Sequence, residues 1–156
     1  MVAAGVFSVF LSRSLFTRGH SLSFSFSLLL SLDIGFNRFS YGKSEKGAAL
    51  YLQGVVGDIH DSVFEYNAAA FGGAVFRGST TGNLLDSTFT GNAAKSFGGG
   101  VYDSHVAGDI AGCKFAKNKA SRGAGVFRTE SKGDVGENKG LDDDTTLVND
   151  NPANGE

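Results

Sequence analysis

Residues 64–76 read FEYNAAAFGGAVF, and similar segments follow at residues 89–102 (FTGNAAKSFGGGVY) and 115–127 (FAKNKASRGAGVF). Each segment begins with Phe-x-x-Asn and, seven or eight residues after the Asn, reaches a small residue followed by two apolar ones. A shorter copy, ALY, occurs one period upstream at residues 49–51. A pattern that returns at a fixed spacing is typical of a solenoid, in which each repeat forms one coil and stacks on its neighbours.

Aliphatic residues fix the register of this repeat. They follow Asp or Asn once in every repeat, at Ile34, Ile59, Leu84, Ile110 and Val135. In the first four copies a Phe comes five residues later, at Phe39, Phe64, Phe89 and Phe115. We therefore predict a repeat array over residues 33–135 with a period of about 25–26 residues.

Turn-forming residues occur between the apolar segments of each copy. Every repeat holds two short apolar runs separated by Gly, Asp, Asn and Ser, and no part of residues 33–135 keeps a helical period. The sequence therefore predicts an all-β fold, a short solenoid of about four to five coils with parallel strands stacked from coil to coil. Equivalent residues of successive coils should then lie about 4.8 Å apart, the spacing of paired strands.

Two aromatic columns run through the predicted coils. The four Phe residues above should stack inside, beside a column of small residues: Asn37, Ser62, Ser87 and Cys113. This placement favours a buried, unreactive thiol at Cys113. The second aromatic column contains Tyr51, Phe76, Tyr102 and Phe127. The residues just before these four are also apolar, so the sequence leaves open which of the two columns faces inward.

A column of Asn residues is predicted to join the coils. Asn67, Asn92 and Asn118 end the three Phe-x-x-Asn motifs. The Asn amide both donates and accepts hydrogen bonds, and Asn tolerates the left-handed conformation of a sharp corner. We expect these residues to form a structural ladder that satisfies backbone groups at the corner. Further corners are expected at the glycine pairs of residues 72–73 and 98–99, where a side chain would clash.

The motifs resemble those of a known repeat family. Phe-x-x-Asn at residues 64–67, with Gly-Gly-Ala-Val at residues 72–75, is similar to the paired motifs of polymorphic outer membrane protein repeats. The resemblance implies the right-handed parallel β-helix, or pectin-lyase-like, superfamily, and it covers residues 33–135. It indicates the fold far better than it indicates an activity. No Phe follows Val135 at the expected spacing, so the last coil is predicted to be truncated.

The two ends of the chain differ from the repeat array in composition. Residues 1–32 contain no acidic residue and are predicted to be a leader, either an export signal, an organellar transit peptide or a capping strand. Residues 136–156 are acidic and are predicted to form a disordered tail. The net charge of −2 gives no indication of a nucleic-acid partner, and a single Cys excludes a disulfide framework.

Enzymes share this fold class, so catalytic residues have to be considered. His60 and Asp61, with Arg77 stabilising charge, could abstract a proton beside a uronate carboxylate. The neighbouring Asp58 has a simpler interpretation as a turn residue, because its column also contains Asp33, Asn83, Asp109 and Asp134. The same acidic column raises the possibility of calcium, although its spacing does not match that of known calcium-binding β-rolls. No other cofactor and no metal site are predicted.

A local basic run contains Lys114, Lys117, Lys119 and Arg122. Such a run is usually a solvated face, but it could also bind acidic glycans. We expect a non-catalytic surface or secreted interaction module that binds a polysaccharide or a cell-surface protein, part of a longer repeat protein, with peripheral or no membrane contact. The alternative is a relative or fragment of a polysaccharide lyase or epimerase. An extracellular or cell-surface location is expected, with organellar targeting as the other possibility.

Overall fold

The computed structural model describes the backbone of residues 7–12, 15–17, 22–140 and 149–150, and the side chains of residues 32–140. These residues form short β-strands and contain no helix. In chain order the strands are β1 (Phe7–Ser12), β2 (Leu15–Thr17), β3 (Leu22–Gly35), β4 (Arg38–Ser40), β5 (Leu50–Val56), β6 (Ile59–His60), β7 (Val63–Glu65), β8 (Ala68–Phe71), β9 (Val75–Gly78), β10 (Leu84–Leu85), β11 (Thr88–Thr90), β12 (Ala93–Phe97), β13 (Val101–Ser104), β14 (Ile110–Ala111), β15 (Lys114–Ala116), β16 (Val126–Thr129) and β17 (Asn149–Asp150).

All strand pairs are parallel, and they form three sheets along the coils. The first sheet has the order β14-β10-β6-β3-β5-β9-β13-β16-β17, with β1 also pairing with β3. The second sheet has the order β15-β11-β7-β4-β2, and the third pairs β12 with β8. Phe64 pairs with Phe39 on one side and with Phe89 on the other, which is the register predicted from the repeat. The prediction of an all-β parallel solenoid is confirmed, with about four coils.

Strand pairing extends beyond both ends of the predicted array. β1 and β2 pair with β3 and β4, so paired backbone precedes residue 33. At the other end Lys139 bridges Lys114, and β17 pairs with β16. Much of the predicted leader and tail, including residues 141–148, lies outside the described residues, so targeting and tail disorder stay predictions.

The interior of the solenoid is a stack of aromatic rings flanked by aliphatic columns. The ring centroids of Phe39, Phe64, Phe89 and Phe115 follow one another at 5.1, 4.7 and 4.9 Å, with planes tilted by only 6–7°. Each such side chain contributes about 1.5–3 kcal/mol on burial, and the ring contacts add to this. The structure also decides which of the two adjacent apolar columns on β5, β9, β13 and β16 faces inward. The aliphatic column faces inward and is fully buried, at Leu50, Val75, Val101 and Val126.

Left-handed residues recur at the corners of every coil. The predicted glycine corners are confirmed, since Gly72 has φ +60° and a Cβ there would lie 2.3 Å from the Val75 carbonyl oxygen. Other corners place larger residues in the same conformation, including Tyr41 (φ +59°), Tyr66 (φ +53°) and Asp61 (φ +47°). Such a conformation is unfavourable for an aromatic residue. Stacking of the coils therefore imposes it at these positions.

Candidate functional site

The Asn column joins successive coils through both side-chain and backbone atoms. Asn92 is fully buried, and its Oδ1 accepts hydrogen bonds from the backbone N and the Nδ2 of Asn67, each at 3.0 Å. Its Nδ2 donates to the Phe64 carbonyl oxygen at 2.9 Å and to Asn118 Oδ1 at 3.1 Å. At the start of the ladder the Gly42 N–H donates to Asn67 Oδ1 at 2.9 Å. The Asn column therefore has a structural role, because its amides satisfy buried backbone groups at the corner that water does not reach.

His60 lies on the outside of β6, between two carboxylates. Its Nε2 is 2.9 Å from Asp33 Oδ1 in the preceding coil, and its Nδ1 is 2.9 Å from Asp61 Oδ2. The ring lies over Gly35, where a Cβ would approach within 2.2 Å of the imidazole. The hydrogen bond with Asp61 is the main cause that raises the pKa of His60; partial burial opposes it, and Asp33 adds to the rise.

Arg77 is not part of this cluster, because its side chain points into the solenoid. It is 2% exposed, and its Nε and Nη2 donate to the two carboxylate oxygens of Asp103 at 2.8 and 2.6 Å. Arg128 lies on the other side of Asp103, with its Nε 3.2 Å from Asp103 Oδ2 but not aligned as a hydrogen bond. Burial lowers the pKa of Arg128, and Asp103 opposes that effect. The structure therefore brings His60 and Asp61 together and commits Arg77 to a buried ion triad.

Sequence reasoning missed this triad, although a signal was present. Arg77, Asp103 and Arg128 occupy one position of the repeat, in register on β9, β13 and β16. Each lies two residues after an inward aliphatic residue, so strand alternation turns it inward as well. A charged column at an inward position indicates a buried ion network.

The acidic column also joins coils. Asp58 Oδ1 accepts the Asn83 N–H at 2.6 Å, Asn83 Oδ1 accepts the Asp109 N–H at 3.0 Å, and Asp109 Oδ1 accepts the Asp134 N–H at 2.8 Å. These oxygens have the backbone-capping role typical of turn residues. Among residues 32–140 no group of three or more His, Cys, Asp or Glu side chains is placed to hold a metal ion.

Cys113 continues a column of hydroxyl groups. Ser62 Oγ accepts the Asn37 N–H at 3.2 Å, and Ser87 Oγ accepts the Ser62 N–H at 3.1 Å. The Cys113 thiol takes the next place in this column, where it is fully buried. Burial raises the pKa of Cys113 to about 11, so the reactive thiolate is suppressed.

Aromatic rings also stack on the side of the first sheet that faces away from the aliphatic column. The centroids of this second column are 5.2, 5.0 and 5.4 Å apart, at Tyr51, Phe76, Tyr102 and Phe127. Phe76 and Phe127 are buried there, at 7% and 5% exposed. Phe71 packs edge-on against Tyr102, and Phe97 stacks on Phe127. A different group is solvent-exposed at the corners, namely Phe36 (58%), Tyr41 (57%) and Tyr66 (51%). Tyr41 and Tyr66 stack on each other with centroids 5.4 Å apart.

The third sheet contains a shallow groove with a basic rim. The groove has a volume of about 510 Å³, and alanines of β8 and β12 form its floor. Lys43, Glu45 and Lys95 lie at its rim. The register continues the same strands outward to Lys119, which bridges Ala93, and to Arg122, which bridges Phe97. Lys117 occupies the adjoining corner with φ +56°, whereas Lys114 lies around that corner on the second sheet. The structure thus separates Lys114 from the rest of the predicted basic run.

The fold and these ladders define a parallel β-solenoid in which each repeat forms one coil and pairs in register with the next. Residues 86–104 match the family model of the Chlamydia polymorphic membrane protein (Chlamydia_PMP) repeat. This segment runs from a corner through β11, the ladder Asn92 and β12 to β13, so the match covers a large part of one coil. The chain is therefore a parallel β-solenoid that resembles this repeat family, as predicted.

Comparisons with curated proteins and with solved structures give no match. Within the part of the chain that the structure describes, no helix has the length and apolar character needed to cross a membrane.

Proposed function

We propose that this chain is a non-catalytic interaction module of a cell surface, which binds a polysaccharide or a surface protein through the outside of its coils. One observation carries the proposal. The candidate catalytic residues His60 and Arg77 are bound to carboxylates of neighbouring coils. Three large aromatic residues, in contrast, are exposed at the corners: Phe36, Tyr41 and Tyr66. Exposed aromatic groups on a rigid scaffold are typical of recognition surfaces.

The family resemblance supports a surface location. The matching repeat is named for membrane proteins, and repetition of one coil produces a long, regular surface that suits contact with extended partners. Adhesion is the activity that such a surface would supply.

A binding assay with a corner variant tests the proposal. Labelled chain should bind saturably to intact cultured cells or to an immobilised polysaccharide panel without releasing shortened or unsaturated products. Tyr41→Asn with Tyr66→Asn should weaken this binding, since Asn keeps the left-handed corner and removes the exposed rings. A matched control is Ser79→Asn, which changes an exposed left-handed residue at another corner. Absence of saturable binding to every probe would overturn the proposal.

The alternative function is that of a polysaccharide lyase or epimerase relative. The position of His60 between Asp33 and Asp61 favours it, because an imidazole paired with carboxylates is a common element of acid–base sites. Both ring nitrogens face carboxylate oxygens, however, so one of these contacts would have to open before His60 could accept a proton. Arg77, however, is buried against Asp103 and could not reach a substrate on the outer surface. Turnover of a uronate polymer that is lost in both His60→Ala and Asp61→Ala would establish this alternative in place of the interaction module.

A further inference from the structure

Stacking of the coils collects positive charge on one side of the solenoid. We call this side the basic face and define it by residues 42–46, 67–71, 92–97 and 117–122, which form the third sheet and its adjoining corner. It contains six cations against one anion, Glu45, in a chain whose net charge is −2. The cations are Lys43, Lys46, Lys95, Lys117, Lys119 and Arg122.

These cations are exposed and have no ion-pair partner among residues 32–140. The ion pairs of that region involve other basic groups, such as Arg38 with Glu65 and Arg77 with Asp103. Lys46 and Arg122 instead lie over the rings of Phe76 and Phe127, at 5.3 and 6.0 Å from the ring centroids. The face therefore carries an excess of positive charge, which attracts an anionic partner.

The lysines around the groove are aligned along the solenoid axis. Lys43 and Lys119 stand at the two ends of one register column, with Ala68 and Ala93 between them. Three coil steps of about 4.8 Å separate the ends, so the column is about 14 Å long and parallel to the solenoid axis. Lys95 borders the groove midway along it. A linear ligand with anionic groups at repeated intervals would meet positive charge at both ends and at the centre.

We infer that the basic face binds a linear anionic polysaccharide, carrying sulfate or carboxylate groups and lying in the groove along the solenoid axis. The inference rests on the proposed interaction function and specifies its ligand class. The floor alanines leave space for sugar rings, and the lysines of the rim contact the anionic groups. Lys43, Lys95 and Lys119 are the specificity-determining residues.

Two other anionic partners fit the face less well. An acidic peptide cannot add as a β-strand to an inner strand of this sheet, because β8 pairs with β12 and bridges Lys43, and β12 bridges Lys119. Single-stranded nucleic acid usually stacks its bases on free aromatic faces. Here Phe71 and Phe97 are half-buried against Tyr102 and Phe127, so the groove offers no such platform.

The test measures binding of the chain to heparin, with dextran, polyglutamate and a DNA oligonucleotide as comparison probes. The groove variant is Lys43→Gln, Lys95→Gln and Lys119→Gln combined. The control variant removes the same charge elsewhere, as Lys114→Gln, Lys132→Gln and Lys139→Gln. We expect heparin to bind more tightly than the other probes. The groove variant should lose about tenfold or more in affinity with a shallower salt dependence, and the control should lose much less. Circular dichroism spectra of both variants serve as the control for folding.

Equal losses in the two variants would overturn the inference, because binding would then follow net charge alone. Tighter binding of polyglutamate or DNA than of heparin would overturn it as well. A chain that binds cells through Tyr41 and Tyr66 but does not bind heparin would refute this inference and leave the interaction module intact. A chain that binds no probe and no cell would refute both.

Discussion

Replacement of Asn92 by Leu removes the centre of the Asn ladder with little change in shape, since both side chains branch at Cγ. The Asn92 side chain makes four hydrogen bonds, two to Asn67 and one each to the Phe64 carbonyl and Asn118. Two of these partners keep other bonds. Asn67 Nδ2 still donates to the Phe39 carbonyl, and Asn118 Oδ1 still accepts the backbone N–H of residue 92.

The energetic loss is concentrated at two groups. The Asn67 N–H becomes a buried donor without a partner, which costs about 1–3 kcal/mol. The Phe64 carbonyl loses one bond, which costs about 1 kcal/mol more. We therefore expect Asn92→Leu to lower the free energy of unfolding by about 2–4 kcal/mol.

Chemical denaturation followed by circular dichroism measures this loss. Asn83→Leu is the matched control, because its side chain accepts one hydrogen bond, from the Asp109 N–H at an exposed position where water can replace it. The control should lose less than about 1 kcal/mol. If Asn92→Leu is no less stable than Asn83→Leu, the ladder does not stabilise the coils and the reasoning fails.

Further substitutions and conditions test the other features. Asp103→Ala leaves two buried guanidinium groups uncompensated and should lower the free energy of unfolding by about 3–5 kcal/mol in denaturation experiments. Arg38→Ala, at an exposed ion pair, should lower it by less than about 1 kcal/mol. Similar losses in the two variants would contradict a buried triad. The pKa of His60 is raised on folding, so protonated His60 stabilises the folded chain. This contribution is fully present below the unfolded pKa of about 6.5 and is lost as pH rises through the folded value. Thermal melts of the wild type and His60→Gln should converge at alkaline pH, and a gap that widens with pH would refute this. Cys113, with a pKa of about 11, should react with a thiol reagent only as the chain unfolds, and a rapid reaction of the folded chain would show an open thiol. A chelator should leave the melting temperature unchanged because Asp58 already caps a backbone N–H, and a fall would reveal bound calcium.

Much of the fold could be predicted because a solenoid converts sequence spacing directly into contact. Phe64 and Phe89 occupy the same position of successive repeats and stack at 4.7 Å, so a single period determines both register and core. The second aromatic column was ambiguous for a physical reason. Val101 and Tyr102 are both apolar, and alternation says that they face opposite ways without saying which one faces inward.

The site was less predictable, because its residues come from different coils and different faces. Arg77 follows two apolar residues, so the sequence left open which side of the strand it faces. Its exposure of 2%, together with its register against Asp103 and Arg128, shows that the triad is interior. The basic face was half visible as the run from Lys117 to Arg122. Its other half consists of Lys43, Lys46 and Lys95, which are distant in sequence and lie in a different part of each coil from Lys114.

The sequence by itself determined that this protein is a parallel β-solenoid with a regular repeat, a Phe core and an Asn column. Those features depend on local spacing, which the sequence displays directly. Tertiary structure decided the direction of each strand face, the interior position of the Arg77 triad and the gathering of cations around the groove. The physical reason is that backbone pairing sets which residues stack, whereas exposure and charge potential depend on how each coil turns its corners.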